Sequence, residues 1–247
     1  MEKSLQELEQ RRSPRSVSVI VPTYKEVENL PLLSERLDQV RQKHHLSLEL
    51  LIMDDDSQDG TEELVSSIDK DWITLVVRKN ERGLSKAVVE GLKLARGDVF
   101  VVMDADLSHP PEKIPEMLAE LERGADFVMG SRYVAGGLTG DSWGLCRWLN
   151  SRVATLLARP LTSVKDPMSG FFALPRTTFE SACDLNPIGY KIGLELMVKC
   201  DLFRIEEIHI HFENRQFGKS KLTLTQQKKY LQHLFRLFIY KYWNKNQ

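Results

Sequence analysis

Through about residue 130 the chain repeats one pattern: a short apolar run, a polar turn, then a longer stretch with apolar residues at helical spacing. Residues 17–21 (VSVIV) predict a buried strand that stops at Pro22. Residues 28–43 place Leu30, Leu33, Leu37 and Val40 on one helical face. Residues 48–53 (LELLIM) predict a second strand, 61–68 a helix and 73–77 a third strand. Residues 85–95 predict a helix set between Gly83 and Gly97, and 98–103 (DVFVVM) a fourth strand. A helix with prolines in its opening part covers 110–123, and a fifth strand covers 125–129. Such alternation specifies a mostly parallel sheet covered by helices on both faces. Sheets of this kind bind ligands outside the carboxyl ends of their strands. Polar clusters occupy those ends: PTYKE after the first strand, DDDSQDG after the second and DADLSHPP after the fourth.

The pattern changes after Tyr133. Residues 135–144 are glycine-rich, and 143–161 form a basic, tryptophan-bearing helical stretch. Strands are expected at 171–174 and 205–213, a helix at 193–201 between them, and a closing helix at 225–243. The sequence contains no internal repeat, low-complexity segment or clear linker.

Composition narrows the function classes. With 42% hydrophobic and 28% charged residues, the chain reads as an ordinary globular protein. Thirty-four Lys and Arg against 35 Asp and Glu leave a net charge of -1, so no global field draws nucleic acid. An anionic partner must instead meet local basic clusters. Cys146, Cys183 and Cys200 are odd in number and share no ligand spacing, which favours thiols in a reducing compartment. No apolar run approaches the ~18 residues of a spanning helix, and the charged N-terminus lacks the apolar centre of a signal peptide. The expected location is cytoplasmic, with contact at a membrane but no crossing of it.

Asp104 and Asp106 flank Ala105 directly after a strand and before a Pro-Pro helix start. Two carboxylates there are hard oxygen ligands for Mg²⁺ or Mn²⁺ bridging a diphosphate. The cluster Asp54, Asp55, Asp56 and Asp59 has two readings: a turn capping the next helix, or a carboxylate that accepts hydrogen bonds from a nucleobase. Likewise, PTYKE either only turns the chain, or lends Tyr24 to a base or ribose and Glu26 to a polar nucleotide group. G-x-G-x-x-G after the first strand, G-x-x-x-x-G-K-[ST] and G-x-S-x-G are all absent, which removes the main support for dinucleotide, P-loop and hydrolase readings. His209 and His211 share one face of an expected strand without a third metal ligand, and read as structural or solvated. His109 shapes the acidic turn. Asp166 either meets the acceptor or caps a turn before Pro167.

Taken in order, VPTYKEVENL, MDDDSQDGT, RGLSKAVVEGL, MDADLSHPP, GSRY, DPMSGFF and RQFGKSKL resemble the inverting nucleotide-sugar transferases of glycosyltransferase family 2. Within it they resemble the polyprenyl-phosphate (dolichol-phosphate) mannosyltransferase group, over nearly the whole span from residue 17 to 222. The resemblance implies a glycosyltransferase A-type, Rossmann-like catalytic domain at 17–222, after an N-terminal tail at 1–16 and before a C-terminal amphipathic helix at 223–247. It implies that Pro22, Tyr24, Glu26 and Asp55 line the nucleoside site and that Met53 contributes main-chain contacts. Asp104 and Asp106 would hold diphosphate and metal, with Ala105 contributing backbone. Ser108 stands where some relatives carry a Gln metal ligand; a serine hydroxyl is a weaker ligand, and a bridging water is the alternative. Arg132, Arg215 and Lys221, with Lys219 less directly, would gather phosphate charge.

The implied reaction is inverting transfer of a sugar, mannose from GDP-mannose, to a polyprenyl or dolichyl phosphate at the cytoplasmic membrane face. UDP-glucose and UDP-GlcNAc remain alternative donors. Nucleotidyl transfer and non-catalytic nucleotide-sugar binding are the rival functions. Leu231, Leu234, Phe235, Phe238, Ile239 and Tyr242 recur at helical spacing beside basic residues. Trp143, Leu145, Trp148, Leu149 and Leu156 do the same in the earlier stretch. Apolar stripes of this kind are core faces or interfacial helices; the resemblance implies the second, with anchoring by these helices, a membrane partner subunit or homo-oligomerisation.

Overall fold

A computed structural model describes residues 16–139, 145–182, 185–200, 202–213 and 224–244, and the side chains of all of these except 138–150, 224 and 244. Seven strands make the main sheet: β1 (Val17–Thr23), β2 (Leu48–Asp54), β3 (Ile73–Val77), β4 (Val99–Val102), β5 (Phe127–Ser131), β7 (Phe172–Pro175) and β8 (Ile205–His209). Their spatial order is β3-β2-β1-β4-β7-β5-β8. β1 pairs in parallel with β2 and β4, β2 with β3, and β5 with β8; β7 alone runs antiparallel, between β4 and β5. A second sheet pairs β6 (Leu138–Thr139) with β9 (His211–Phe212). The mostly parallel sheet with helices on both faces is the one the sequence pattern specifies.

Strands buried on both sides read as continuous apolar runs, which explains VSVIV. Val19 and Val21 point into one core with Leu30, Leu33 and Leu37 of α1 (Leu30–Lys43) and Ile114, Met117 and Leu121 of α4 (Ile114–Glu122). Ile20 points into the opposite core. There it meets Val88 and Leu92 of α3 (Leu84–Leu94), Leu194 and Leu196 of α7 (Ile192–Lys199), and Leu234 and Leu237 of α8 (Leu224–Ile239). A Cβ at Gly91 would stand 2.6 Å from Ile20 Cγ2 and 3.0 Å from Met53 Cγ, so α3 lies directly on the sheet where only glycine fits. Two short helices, α2 (Thr61–Ile68) and α6 (Arg176–Glu180), follow β2 and β7, and α5 (Leu145–Ala158) lies between β6 and β7.

Three expectations change. β1 runs through Pro22 to Thr23, because its ladder with β4 ends at Ile20 opposite Val102 and the missing proline N–H removes no bond there. The strand expected at 205–213 breaks at Ile210, which is fully buried and whose N–H bonds Ser131 O at 3.0 Å. His209 and His211 therefore lie on different strands of different sheets, and His209 Nε2 stands 3.1 Å from Lys113 Nζ. The closing helix has two apolar faces rather than one. Leu234 is buried in the core, Ile239 is half-buried, and Leu231, Phe235, Phe238 and Tyr242 are exposed. Leu156 of α5 is 69% exposed, beside exposed Val153 and Leu157. Cys200 is buried; Trp143 and Cys183, and the side chains of Cys146 and Trp148, fall outside the description. Among the described residues no helix is long and apolar enough to cross a membrane.

Polar contacts fasten α8 to the body. Tyr230 Oη donates to Ala154 O at 2.7 Å, and Lys241 Nζ donates to Leu161 O at 2.9 Å. Buried His233 donates through Nε2 to Glu195 Oε2 at 3.1 Å, while Lys199 Nζ and the Asn186 N–H reach Oε1 at 2.7 and 2.8 Å. Burial alone would raise Glu195; the hydrogen bonds from His233, Lys199 and Asn186 outweigh it and hold the carboxyl below its ordinary value. A carboxyl depressed on folding contributes stability that is present above its unfolded pKa of about 4.5 and lost as pH falls through the folded value. Glu195→Gln is expected to cost about 3 kcal/mol at neutral pH, because Lys199 loses its counter-charge and His233 and the Asn186 N–H lose a charged acceptor. Urea denaturation across pH checks it: the gap to wild type closes below about pH 4.5.

Candidate active site

A cleft of about 570 Å³ opens where the carboxyl ends of β1, β2, β4 and β5 meet. Pro22, Tyr24, Glu26 and Asp55 line one side; Asp104, Ala105 and Asp106 line it after β4; Arg132 lines it after β5. Met53 is fully buried beneath Gly91 and does not line the cleft. Arg215, Lys219 and Lys221 lie outside the described residues.

The acidic cluster after β2 divides its work. Buried Asp54 accepts from Thr23 Oγ1 at 2.9 Å, Ser57 N at 2.8 Å and Ser57 Oγ at 2.6 Å, so it builds the turn. Asp59 accepts from Thr61 Oγ1 at 2.7 Å and from Val27 N at 3.3 Å, tying this turn to the PTYKE loop. Asp55 reaches the cleft, but Arg78 Nη1 donates to one oxygen and Gly83 N to the other at 2.6 Å. Its carboxylate is thereby aimed, and the loop before α3 is held at the cleft edge. Arg82 on that loop stands 5.3 Å over the Tyr24 ring. Glu26 accepts from Asn29 Nδ2 at 2.7 Å, at the start of α1.

The turn after β4 is strained and tightly held. Leu107 is buried with φ of 62°, a region that costs a branched, non-glycine residue energy unless its surroundings fix it. Ser108 supplies part of that fixing: its N–H and Oγ reach Asp106 Oδ1 at 3.1 and 2.5 Å. Ser108 is fully buried and does not line the cleft, so its hydroxyl orients Asp106 instead of facing a metal. His109 Nδ1 accepts the Asp104 N–H at 3.0 Å, and its ring stacks on Phe171 at 5.4 Å. Burial keeps His109 below its ordinary pKa against the pull of Asp104 and Asp106, so a neutral imidazole acts as acceptor at neutral pH.

The described residues contain no group of three or more His, Cys, Asp or Glu side chains able to hold a metal. Two carboxylates on a cleft wall are nevertheless the donor set of a small, hard divalent ion that completes its shell with substrate phosphates and water. Asp104, 32% exposed at its side chain, and Asp106 fit such an ion.

Arg132 is held by Asp166. Its Nε and Nη2 donate to the two carboxylate oxygens at 2.7 Å each, and its N–H adds a third bond at 3.1 Å. Asp166 is fully buried, and Glu207 accepts its N–H at 3.1 Å. Burial opposes the guanidinium charge, but the Asp166 hydrogen bonds outweigh it and raise Arg132 above its ordinary value. Asp166 thus neither meets a substrate directly nor only caps a turn; it fixes the cation that faces the cleft. Across from these residues, Ser151 and Ala154 of α5 and Gln226 of α8 also line the cleft, and Tyr133 Oη donates to Ser151 Oγ at 2.9 Å.

Sequence reasoning missed Arg78, Arg82 and Lys191. Arg78 directly follows β3 at the ligand-binding edge, so the carboxyl-end rule applied to that strand finds it. Lys191, in GYKIG, is set by tertiary packing and has no local signature.

Fold and site are of the glycosyltransferase A type: a Rossmann-like sheet whose edge carries an acidic pair after β4 and an anchored arginine after β5. Residues 18–182 match the family model described as Glycosyl transferase family 2, and the chain belongs to that family. It is 43% identical over 226 residues to a dolichol-phosphate mannosyltransferase of Pyrococcus furiosus, covering 90% of this chain and 63% of that relative's length. Those of Mycosarcoma maydis and Saccharomyces cerevisiae are 42% and 40% identical, with 81% and 88% of their lengths covered. A solved structure of glucosyl-3-phosphoglycerate synthase from Mycobacterium tuberculosis, in complex with Mn²⁺, UDP and phosphoglyceric acid, shares the fold. Its TM-score is 0.68 at 18% identity, over 96% of this chain and 82% of that one.

Asp166→Ala is expected to destabilise the protein by about 3 kcal/mol or more, because it strands a buried guanidinium. Chemical denaturation measures it; a loss within about 0.5 kcal/mol, typical of surface changes, contradicts the anchoring role.

Proposed function

We propose that this chain transfers mannose from GDP-mannose to a polyprenyl phosphate, with inversion, at a membrane surface. The observation that carries the reading is the continuity of the cleft, from an acidic pair suited to a sugar-bound diphosphate to two helices with exposed apolar faces. Similarity at 40–43% identity to proteins named dolichol-phosphate mannosyltransferase supports the sugar and the acceptor class.

In this reading Pro22, Tyr24, Glu26 and Asp55 receive the nucleoside. Asp104 and Asp106 would hold a Mg²⁺ or Mn²⁺ ion at the diphosphate end of the cleft, with the Ala105 backbone alongside. When bound, the ion supplies positive charge where the leaving diphosphate gains negative charge. Arg132 faces the acceptor phosphate, and Arg215 and Lys221 are further phosphate contacts. An acceptor phosphate oxygen forms its bond to the anomeric carbon as the bond from that carbon to the diphosphate oxygen breaks. The electron pair leaves with the nucleoside diphosphate. The acceptor is already ionised near neutral pH, so no strong general base is required, and the side chains act by positioning and charge.

The exposed Leu231, Phe235 and Phe238 on α8, Tyr242 just beyond its end, and Leu156 on α5 give the protein a face for the lipid interface. Contact there, alone or with a membrane partner subunit or a second copy, brings the cleft to the headgroup level where the acceptor phosphate lies.

A panel of GDP-mannose, UDP-glucose and UDP-GlcNAc with a short polyprenyl phosphate tests the reading. Mannosyl lipid and GDP are the expected products. Pyrophosphate release would mark a nucleotidyltransferase, and no turnover with any donor would mark a binding protein. Asp106→Asn is expected to keep the fold while losing about 100-fold or more in transfer; near wild-type turnover with metal present removes Asp106 from the chemistry.

Phe235→Ser with Phe238→Ser should reduce co-sedimentation with anionic vesicles and transfer to long-chain acceptor. Transfer to a short acceptor and the melting temperature should change little. A lower melt with equal loss of both activities would make this face part of the core.

A further inference from the structure

Arg78, Arg132 and Lys199 are withdrawn from solvent, and each is paired to a carboxylate: Asp55, Asp166 and Glu195 respectively. Lys191 differs. It sits at the N-terminal cap of α7 on the cleft wall, between Tyr190 and Ile192, which also line it. Its Nζ donates to the Met168 carbonyl and lies 4.6 Å over the Tyr190 ring. It forms no salt bridge with any described residue. An ammonium has three donors, and one backbone carbonyl neutralises none of its charge. Burial first, then the nearby Arg132, pulls Lys191 down to about 8, while Asp104 and Asp166 act in the other direction. Among the described residues Lys191 is thus a crowded cation at the cleft without a counter-ion of its own, an arrangement that an incoming anion completes.

Its place in the cleft selects the anion. The nucleoside wall is built by loops after β1 and β2, with Arg82 and Gly83 beside them. Lys191 belongs to the other wall, with Met168, Arg132, and Ser151 and Gln226 of the two amphipathic helices. An anion that meets Lys191 enters from the helix side.

Resting on the transferase reading above, we propose that Lys191 binds the phosphate of the lipid acceptor, completing with Arg132 a two-cation cradle on the helix-side wall of the cleft. Arg132 is fixed by Asp166 and presents a guanidinium of set direction. Lys191 is a point charge on a flexible stem that follows the phosphate as it approaches the anomeric carbon.

The test uses the full chain and the variants Lys191→Met and Lys191→Arg. Calorimetric binding of a short polyprenyl phosphate, without donor, should weaken by about ten-fold or more in Lys191→Met, the loss of one charge-assisted hydrogen bond. Lys191→Arg should recover most of it. In steady state, KM for the acceptor should rise in Lys191→Met while KM for the nucleotide-sugar stays within about two-fold. The melting temperature of Lys191→Met should hold or rise, since a half-buried charge with no ion-pair partner among the described residues is removed.

Equal acceptor binding by wild type and Lys191→Met overturns the proposal. So does a lowered melt with unchanged acceptor KM, which makes Lys191 a support for the Met168 carbonyl. If wild type turns over no donor, the transferase reading fails, and the binding comparison still decides Lys191.

Discussion

Carboxylates repel, and this protein gathers Asp54, Asp55, Asp104 and Asp106 along one edge of one sheet. A parallel sheet forces that gathering, because the loops after β1, β2 and β4 all emerge at the same end. The architecture therefore depends on giving each acid its own donors. Asp54 has Thr23 and Ser57, Asp55 has Arg78 and Gly83, and Asp106 has Ser108. Asp104 is the most open of them and has a neutral histidine behind its backbone. Negative charge is thus tolerated by local solvation inside the fold and directed toward one cleft.

The same edge concentrates backbone strain. Lys25 in the first of the three loops, Asp56 and Gln58 in the second and Leu107 in the third adopt positive φ without being glycine. Such conformations persist where surrounding contacts over-determine them. Those contacts are visible here: Lys25 N–H donates to Ser57 Oγ at 2.8 Å, and Leu107 is sealed in the core. The loops are braced against one another, so the geometry of the cleft exists before any ligand arrives.

Much of this was legible in the residues. Alternating apolar runs predicted the sheet, and the carboxyl-end rule pointed to PTYKE, DDDSQDG and DADLSHPP because those motifs are local. The resemblance carried Arg132. What stayed hidden was non-local. Asp166 lies 34 residues from the arginine that it fixes, and Asp55 is bound by an arginine from the far side of a strand. The resemblance set Ser108 at a metal-ligand position as a weak ligand, and three-dimensional packing shows its hydroxyl bonded to Asp106. The final helix looked like a single apolar stripe because sequence spacing does not distinguish Leu234, which faces the core, from Phe235, which faces outward.

β7 reverses the direction of the sheet, and that reversal divides the molecule in an unexpected way. To return antiparallel between β4 and β5, the chain makes an excursion from Arg132 to Phe171 that carries α5 and Asp166. The stretch beyond residue 182, where the family match ends, adds α7, β8, β9 and α8. One wall of the cleft is thus drawn from the loops after β1, β2 and β4, and the other from the excursion before β7 and the stretch beyond residue 182. Such a plan lets one wall be altered while the other, braced by its own turns, keeps its shape.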